Sequence, residues 1–210
     1  EEEFPVLSGG DLAHEFSITV SEAKALIDKT RFAISTEETR YYLNGIFFHI
    51  AESGDVKVLR SVATDGHRLA SMEVPMPKGA EGMPSVIIPR KAVAELRKLV
   101  DESNADITIG ISDSKIRFSF DDTILTSKLI DGTFPDYQRV IPEGNEKQLD
   151  VPTKVFSDAV DRVSAISSEK SRAVKLNLSS GSLILSASSP EDGNATEELE
   201  VSYQGESMEI

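Results

Sequence analysis

The chain has 210 residues, of which 39% are hydrophobic and 28% charged, and its formal net charge is -14 at pH 7. This length can hold one large domain or two ordinary ones, and the absence of cysteine excludes disulfides, thiolate metal sites and a cysteine nucleophile. The acidic balance argues against nonspecific binding of nucleic acid or anionic membrane, although a net charge does not say where the basic residues lie.

A strand and an amphipathic helix are the first elements that the pattern predicts. Residues 1–15 carry proline, a glycine pair and acidic side chains, which is typical of a linker or of the tail of a preceding domain. Alternation over 16–20 predicts a strand, and the periodicity over 21–35 predicts a helix with Ser21 as its N-cap. The apolar face of this helix would carry Ala23, Leu26, Ile27, Thr30 and Ile34.

Short strands surround a second predicted helix, over 90–103. Its apolar face would carry Val93, Leu96 and Val100. Alternating and apolar runs predict strands over 40–53, 56–65, 67–74 and, as three short runs, 105–130. Residues 131–142 have an irregular pattern, and the polar run 143–148 is typical of a linker.

The predicted order then starts again. It consists of a strand over 149–152, a helix over 153–167 with Val155, Ala159, Val163 and Ile166 on one side, a hairpin over 173–189 and a strand over 197–203. The segments "AISTEETR" (33–40) and "AISSEKSR" (165–172) match at five of eight positions, and each follows a predicted helix. This indicates duplicated α+β units, each a sheet with one or two helices on its face. Because the second copy is incomplete, we expect the chain to be a segment of a longer protein.

Basic side chains recur on the predicted helices. The positions are Lys24, Arg31, Arg90, Lys91, Lys98 and Arg162. Lys91 and Lys98 are seven residues apart and therefore point the same way, and Lys24 and Arg31 repeat the spacing. Acidic residues are interleaved, so one interpretation is a solvated face of mixed charge. The other is a row of cations that meets phosphates if the helices line one surface.

The segment "ATDGHRLA" (63–70) holds an acid, an imidazole and a guanidinium beside a glycine. It lacks the glycine spacing of a phosphate loop, and Asp65 and His67 have neither spaced metal-ligand partners nor a nucleophile held by a base. A tight turn explains the Asp-Gly pair. A peptide-binding site explains more, because Gly66 permits close backbone approach, Leu69 gives an apolar wall and their neighbours give a polar rim.

Several motifs together resemble a known family. They are "RYYLNG" (40–45), "ATDGHRLA" (63–70), "PRKAV" (89–93), "TSKLIDGTFPDYQRVIP" (126–142) and "SEKSR" (168–172). In order and spacing, from about Phe16 onward, the chain resembles the bacterial sliding clamp, the beta subunit of DNA polymerase III. The resemblance implies a DNA clamp fold: an α+β protein of repeated domains, each with antiparallel sheets and two helices on one face.

The resemblance also implies a domain plan and an assembly. The plan is the tail of a first domain at 1–15, a middle domain at 16–142, a linker at 143–148 and the first half of a third domain at 149–210. Clamps of this family are rings of two head-to-tail subunits, whose helices surround duplex DNA without reading its sequence. Such a ring can be acidic overall, because it holds DNA topologically and needs only weak phosphate contacts.

By the same resemblance, the 63–70 loop belongs to a pocket that docks short peptides with leucine or phenylalanine anchors. The matching positions are Arg40, Tyr41, Tyr42, Leu43, Thr64, Gly66, His67, Arg68, Leu69, Pro135, Arg139 and Val140. Ordinary strand packing is the alternative role for Tyr41 and Leu43. Among the basic positions, Arg90 and Lys91 match the DNA-facing side best, whereas Glu37 stands where some members place a neutral DNA-contacting residue.

The implied function is a processivity factor of a DNA-directed DNA polymerase (nucleotidyltransferase) holoenzyme, with no catalytic site of its own. The implied partners are double-stranded DNA, the polymerase III alpha and clamp-loader subunits, other polymerases, repair proteins and a second subunit in a homodimer. No cofactor, metal or membrane partner is predicted, and the implied location is the bacterial cytoplasm. Two alternatives are a peptide-binding adaptor that never meets DNA and a small hydrolase using Asp65 and His67.

Overall fold

A computed structural model describes residues 12–167 and 173–210. Residues 1–11, which hold most of the predicted linker, and the "SEKSR" motif at 168–172 lie outside the described residues. The chain divides into two compact units, Glu1–Tyr137 (unit 1) and Gln138–Ile210 (unit 2).

Unit 1 contains eight strands and two α-helices in its described part. In chain order these are β1 (His14–Ile18), α1 (Val20–Asp28), β2 (Gly45–Ser53), β3 (Val56–Thr64), β4 (Leu69–Pro75), β5 (Val86–Pro89), α2 (Arg90–Leu99), β6 (Ile107–Ile111), β7 (Lys115–Phe120) and β8 (Thr123–Lys128). Short 3-10 helices span Arg31–Ala33, Glu38–Leu43 and, across the unit boundary, Tyr137–Val140. This mixture of antiparallel strands and few helices confirms the predicted α+β class.

The strands of unit 1 form two four-stranded antiparallel sheets, ordered β4-β3-β2-β5 and β1-β6-β7-β8. Strand β1 pairs with β6, and β5 pairs with β2. Unit 1 is therefore built from two strand–helix–three-strand halves, and each half gives its first strand to the sheet of the other. This exchange was not predicted from the sequence, because strand pairing between distant segments leaves no mark in local periodicity.

The first helix begins earlier and ends sooner than predicted. Its N-cap is Thr19 rather than Ser21, and Thr19 and Glu22 form a reciprocal capping box. The helix ends at Asp28 because the Leu26 carbonyl accepts hydrogen bonds from the Thr30 hydroxyl (2.6 Å) and the Ser61 hydroxyl (2.9 Å). Side chains thus take an acceptor that a continuing helix would use.

Other predicted boundaries need correction. Residues 40–43 belong to the 3-10 helix Glu38–Leu43 and not to a strand, since β2 begins at Gly45. The second helix ends at Leu99 instead of extending to residue 103, with buried Val100 as its C-cap. The three strands predicted within 105–130 are confirmed as β6, β7 and β8.

The main core of unit 1 lies between the two helices and the inner faces of both sheets. Val93 and Leu96 of α2 are buried there, as predicted, together with Leu26 of α1. The face of sheet β4-β3-β2-β5 turned away from the helices is here called the outer face. It carries a second apolar cluster, built around buried Val62 and covered by Phe134 and Tyr137. This sheet is therefore buried on both faces.

Unit 2 repeats the order of the first half of unit 1. Its elements are α3 (Thr153–Ser164), β9 (Lys175–Ser179), β10 (Ser182–Ser189), β11 (Gly193–Glu200) and β12 (Met208–Glu209). The sheet order β11-β10-β9-β12 matches β4-β3-β2-β5, which agrees with the repeat inferred from the sequence. The described part of unit 2 contains one α-helix.

Three assignments in unit 2 differ from expectation. Residues 149–152 form only an isolated bridge, between Asp150 and Ser202, and β11 spans 193–200 rather than 197–203. Val155, predicted to face inward, is 45% exposed, whereas Ala159 and Val163 on the same helix are buried. Among the residues that the structure describes, no helix is both long and apolar enough to cross a membrane.

Candidate peptide site and basic helix faces

The loop between β3 and β4 is organised by the side chains of its own residues. The Asp65 Oδ1 atom accepts hydrogen bonds from the backbone N–H groups of His67 and Arg68, both at 3.0 Å. Its Oδ2 atom accepts from Arg68 Nε, also at 3.0 Å. The hydrogen bond from the His67 backbone, above all, lowers the pKa of the Asp65 carboxyl, which therefore stays ionised.

Thr64 closes the same loop from the other side. Its hydroxyl donates to the Arg68 carbonyl (2.8 Å) and accepts from the Gly66 N–H (3.1 Å). Gly66 has a φ of +89°, in the left-handed region that favours glycine. The loop is thus a closed hydrogen-bonded turn that holds His67 and Arg68 exposed to solvent.

Arg40 connects this loop to the 3-10 helix before β2. Its guanidinium forms two hydrogen bonds with Glu37, Nε to Oε2 at 2.8 Å and Nη2 to Oε1 at 2.7 Å. The Arg40 hydrogen bond lowers the pKa of Glu37, so the pair stays charged. Arg40 Nη1 lies 2.5 Å from the position that a Cβ atom on Gly66 would occupy. A side chain at position 66 would therefore displace Arg40.

The apolar part of the candidate site lies on the outer face. Leu43 is buried there, and Tyr42 and Leu69 are partly buried members of the same cluster. In β2, Phe47 stands beside Val62 of β3 and Ile87 of β5 in the sheet register. Leu43 therefore packs as a core residue, although it lies in a 3-10 helix and not in a strand.

The remaining predicted pocket residues are largely exposed and lie in different segments of the chain. Tyr41 is 53% exposed, and its ring meets Tyr42 edge to face with centroids 5.8 Å apart. Pro135 is exposed between the two buried aromatic residues of its segment. Arg139 and Val140 lie in the Tyr137–Val140 helix, and both are exposed. Both belong to unit 2, which begins at Gln138.

Phe134 and Tyr137 were missed as site residues, although they flank Pro135 in the "GTFPDYQRV" segment. Phe134 stacks on Phe47 with ring centroids 4.7 Å apart and planes 2° apart. The Tyr137 hydroxyl meets buried His49 and Arg60 on the outer face. The two aromatic residues three positions apart, Phe134 and Tyr137, in a segment that contains several polar residues, were the available signal for burial of this stretch.

The basic positions fall into two groups. Lys24 pairs with Asp101 (3.1 Å), Arg31 with Asp28 (3.2 Å), and Lys98 with Glu95 (3.1 Å). In unit 2, Arg162 makes a bidentate pair with Glu197 at 2.9 and 2.5 Å. Within the described ranges, Arg90 and Lys91 are exposed and form no ion pair.

Two features of this surface correct the predicted row of cations. Arg31 lies in the Arg31–Ala33 3-10 helix after α1 has ended, so it does not continue the face of Lys24. Arg97, which the sequence did not single out, joins the two helices by contacts to Asp28 (2.8 Å) and Asp101 (2.6 Å). The α1–α2 surface is therefore one of mixed charge, with unpaired cations at the start of α2.

No metal centre is visible in the part of the chain that the structure describes, since it holds no cluster of three or more histidine, aspartate or glutamate side chains. The carboxylate of Asp65 is occupied by three loop hydrogen bonds. A general base needs a free oxygen within reach of a substrate proton. The geometry of Asp65 thus suits a structural role in the turn.

Unit 1 has two antiparallel sheets whose inner faces pack against two helices, and the strand order of one sheet recurs in unit 2. This arrangement defines an α+β protein of the DNA-clamp class. The family model for the DNA polymerase III beta subunit, central domain, matches residues 17–136, and the model for its C-terminal domain matches residues 138–210. The chain belongs to the DNA polymerase III beta subunit family.

Individual relatives agree with this assignment. The beta sliding clamp of Caulobacter vibrioides is 51% identical over 208 residues, and that of Pseudomonas aeruginosa is 38% identical over 208 residues. A Bartonella birtlesii sliding clamp crystallised with griselimycin has a TM-score of 0.94 at 54% identity. A C. crescentus clamp with PEG bound to a putative beta-motif tethering region has a TM-score of 0.96 at 51% identity.

These matches cover 99% of this chain and 55 to 56% of each relative. The chain thus spans about half the length of the relatives it matches.

Proposed function

We propose that this chain is part of a DNA sliding clamp, which encircles duplex DNA and tethers partner proteins through short peptides. The observation that carries the proposal is the structural similarity over 99% of the chain to solved sliding clamps, with TM-scores of 0.94 and 0.96. In this proposal, residues 16–142 are the middle clamp domain and residues 149–210 are the first half of the third. The matched ranges 17–136 and 138–210 support that division.

The outer face of unit 1 has the composition of a peptide site. Leu43 and Leu69 supply an apolar floor, and the loop that holds His67 and Arg68 supplies exposed donors at its rim. Apolar anchors in a pocket with a polar rim are a common way of binding short peptides. The ligands of two related clamps, griselimycin and PEG at a putative beta-motif tethering region, are consistent with this role.

The start of α2 supports contact with phosphates. Arg90 and Lys91 occupy the first turn of this helix, which has no acidic residue. Cations at a helix N-terminus are unfavourable, because the helix dipole places partial positive charge there. A phosphate group would compensate both the dipole and the two side chains. The carboxylates paired with Lys24 and Lys98 would keep DNA contacts few and weak, which suits sliding.

The function we propose is non-catalytic. The engagement of Asp65 in its own loop gives no support to the alternative of a hydrolase using Asp65 and His67. The exposed pair at the start of α2 favours a clamp over an adaptor that never meets DNA. Membership of a nucleotidyltransferase holoenzyme, a homodimeric ring, polymerase and loader partners, and a cytoplasmic location belong to the same proposal.

Retention on circular DNA tests the clamp function. The intact protein is loaded onto nicked circular DNA by a clamp loader with ATP, and the complex is separated from free protein by gel filtration. We expect the protein to elute with circular DNA and to be released when a restriction enzyme linearises that DNA. Failure to stay on circular DNA in the presence of an active loader would contradict the proposal, as would equal retention on linear DNA.

A further inference from the structure

A buried polar row crosses the outer face beside the apolar cluster of the candidate peptide site. The strand register places His49 of β2 opposite Arg60 of β3, and Arg60 opposite Glu73 of β4. His49 and Arg60 are each only 8% exposed, which is rare for charged or titratable side chains. Such groups are costly to bury unless each finds a partner.

Tyr137 supplies the partner that completes this row. Arg60 Nη1 donates to the Tyr137 hydroxyl at 2.8 Å, and Arg60 Nε donates to Glu73 Oε1 at 2.7 Å. The Tyr137 hydroxyl also lies 3.2 Å from His49 Nε2. Because the hydroxyl accepts from Arg60, its own proton is available for the histidine.

The hydrogen bond at the other ring nitrogen fixes the tautomer of His49. His49 Nδ1 is 3.0 Å from the Ile50 carbonyl oxygen, which can only accept, so Nδ1 carries a proton. In the neutral ring, Nε2 is then the acceptor for the Tyr137 hydroxyl. Every polar atom of this contact is satisfied when His49 is neutral. Protonation turns Nε2 into a donor, so the Tyr137 O–H loses its acceptor, and the imidazolium and the Arg60 guanidinium then both face the same hydroxyl oxygen.

This contact reaches the peptide site through stacked rings. Phe47 stacks on His49 with ring centroids 4.5 Å apart, and Phe134 stacks on Phe47 with ring centroids 4.7 Å apart. Phe134 and Tyr137 belong to the same apolar cluster as Leu43 and Leu69. The position of Tyr137 therefore sets how the segment around Phe134 lies against the floor of the site.

We propose that His49 is a positioning residue for peptide binding: its neutral ring accepts a hydrogen bond from the Tyr137 hydroxyl and so holds the aromatic segment that forms one side of the site. This inference rests on the proposed function, since it concerns the same peptide site. Arg60 on β3 and the Tyr137 hydroxyl are the charged and titratable groups that face the ring in the described structure, with Glu73 on β4 behind Arg60.

The His49–Tyr137 contact predicts that peptide affinity decreases as the pH falls. Burial, above all, lowers the pKa of His49 from its ordinary value of 6.5, the Ile50 carbonyl opposes this effect, and the nearby Arg60 charge adds to it. The ordered arrangement is thus fully present above pH 6.5, and it weakens as the pH falls through the folded-state value. Peptide affinity should follow the same course.

The test compares the pH profiles of peptide binding in the intact protein and its variants. The probe is a fluorescein-labelled peptide with leucine and phenylalanine anchors and no titratable side chain, followed by polarisation from about pH 8 to about pH 5. His49→Gln keeps an acceptor but cannot titrate. We expect the wild type to lose affinity on the order of three- to tenfold at low pH, the size of one typical net hydrogen bond. His49→Gln should lose less.

Two further variants, His14→Gln and Tyr137→Phe, distinguish the His49–Tyr137 contact from other causes of a pH-dependent affinity. His14→Gln changes a histidine of β1, in the other sheet, and should keep the wild-type profile. Any pH dependence shared by all three proteins arises outside the His49 contact, so only the difference between the wild type and His49→Gln counts. Tyr137→Phe keeps the ring without its hydroxyl, and it should bind peptide more weakly than the wild type at pH 8.

The result that overturns the inference is an identical profile for the wild type and His49→Gln, or wild-type affinity in Tyr137→Phe. A second readout keeps the inference distinct from the proposed function. With 4-fluorophenylalanine at position 134, the fluorine signal should shift with pH in the wild type and stay constant in His49→Gln. Absence of peptide binding at every pH would contradict the proposed function, whereas a constant fluorine signal in the wild type would contradict the positioning role.

Discussion

The Arg40 guanidinium lies directly over Gly66, so that a Cβ atom at position 66 would stand 2.5 Å from Arg40 Nη1. The same contact joins the 3-10 helix before β2 to the loop between β3 and β4. Gly66 thus has two reasons to be glycine: its φ of +89° and the close approach of Arg40. These two contributions can be separated by mutation.

Gly66→Ala should reduce both stability and peptide affinity. The left-handed backbone costs about 1 kcal/mol of unfolding free energy for alanine, and the displaced Arg40 should additionally disturb the peptide site. Gly54→Ala is the matched control, because Gly54 also has positive φ (+60°) but no atom within 4 Å of its Cβ position. Chemical denaturation should show similar losses for both, while polarisation should show weaker peptide binding for Gly66→Ala alone. Equal affinities would refute the role of this contact.

Leu69→Ala should weaken peptide docking by roughly 1–3 kcal/mol if this side chain is an anchor of the pocket. The physical reason is the loss of apolar surface from the cluster that also holds Leu43 and Phe134. Ile124→Ala is a suitable control, because Ile124 is 70% exposed on β8 of the other sheet. Fluorescence polarisation on the intact protein measures both variants. An unchanged peptide affinity of Leu69→Ala would show that Leu69 does not contact the peptide.

Neutralising Arg90 and Lys91 should lower the salt dependence of DNA binding. Each phosphate contact contributes about -0.9 to the slope of log K against log salt for B-form DNA. The double variant Arg90→Gln, Lys91→Gln should therefore have a slope shallower by about 1 to 2. Lys98→Gln, which removes a cation already paired with Glu95, should change the slope less. If Lys98→Gln made the slope equally shallow, an ion pair within the protein would not prevent a cation from contacting DNA.

Asp65→Asn should destabilise the protein in a pH-dependent way. Backbone and side-chain hydrogen bonds lower the pKa of Asp65 in the folded protein from the ordinary value of 3.8. A lowered pKa of an acid gives stability that is present above its unfolded value and lost as the pH falls through the folded value. The variant should thus be less stable by about 1 kcal/mol at neutral pH, and the difference should shrink below about pH 4.

Urea denaturation over a series of pH values measures this difference. Asp55→Asn, in the exposed turn between β2 and β3, controls for the general loss of a negative charge. A difference between wild type and Asp65→Asn that stays constant from neutral to acidic pH would mean that the carboxylate charge does not stabilise the loop.

The periodicity of the chain was sufficient for the class of fold and for most of its elements. Residues 105–130 alternate strongly and became β6, β7 and β8, and the apolar spacing of α2 correctly placed Val93 and Leu96 in the core. The wrong element boundaries arose where neighbouring residues favoured different local structures. Thr19 displaced Ser21 as N-cap because Glu22 completes its capping box, and residues 40–43 formed a 3-10 helix although their aromatic content resembles a strand.

The candidate site was predicted only in part. The "ATDGHRLA" motif predicted Gly66 and Leu69 as site residues, since a glycine and an apolar residue on either side of two polar donors leave a local signal. Pairing between distant residues leaves none, so His49, Arg60 and Tyr137 went unnoticed although they are buried together. The same holds for Arg97, whose contact to Asp28 crosses 69 positions of sequence.

The sequence by itself determined that this is an α+β protein with duplicated units, because apolar spacing and turn residues act over a few neighbouring positions. Only the tertiary structure decided which cations keep their charge available. Lys24 of α1 is neutralised by the carboxylate of Asp101, which lies far away in sequence and which folding brings within 3.1 Å, while Arg90 and Lys91 are left exposed at the start of α2. Coulomb energy depends on distance in space, and that distance is set by how helices and sheets pack.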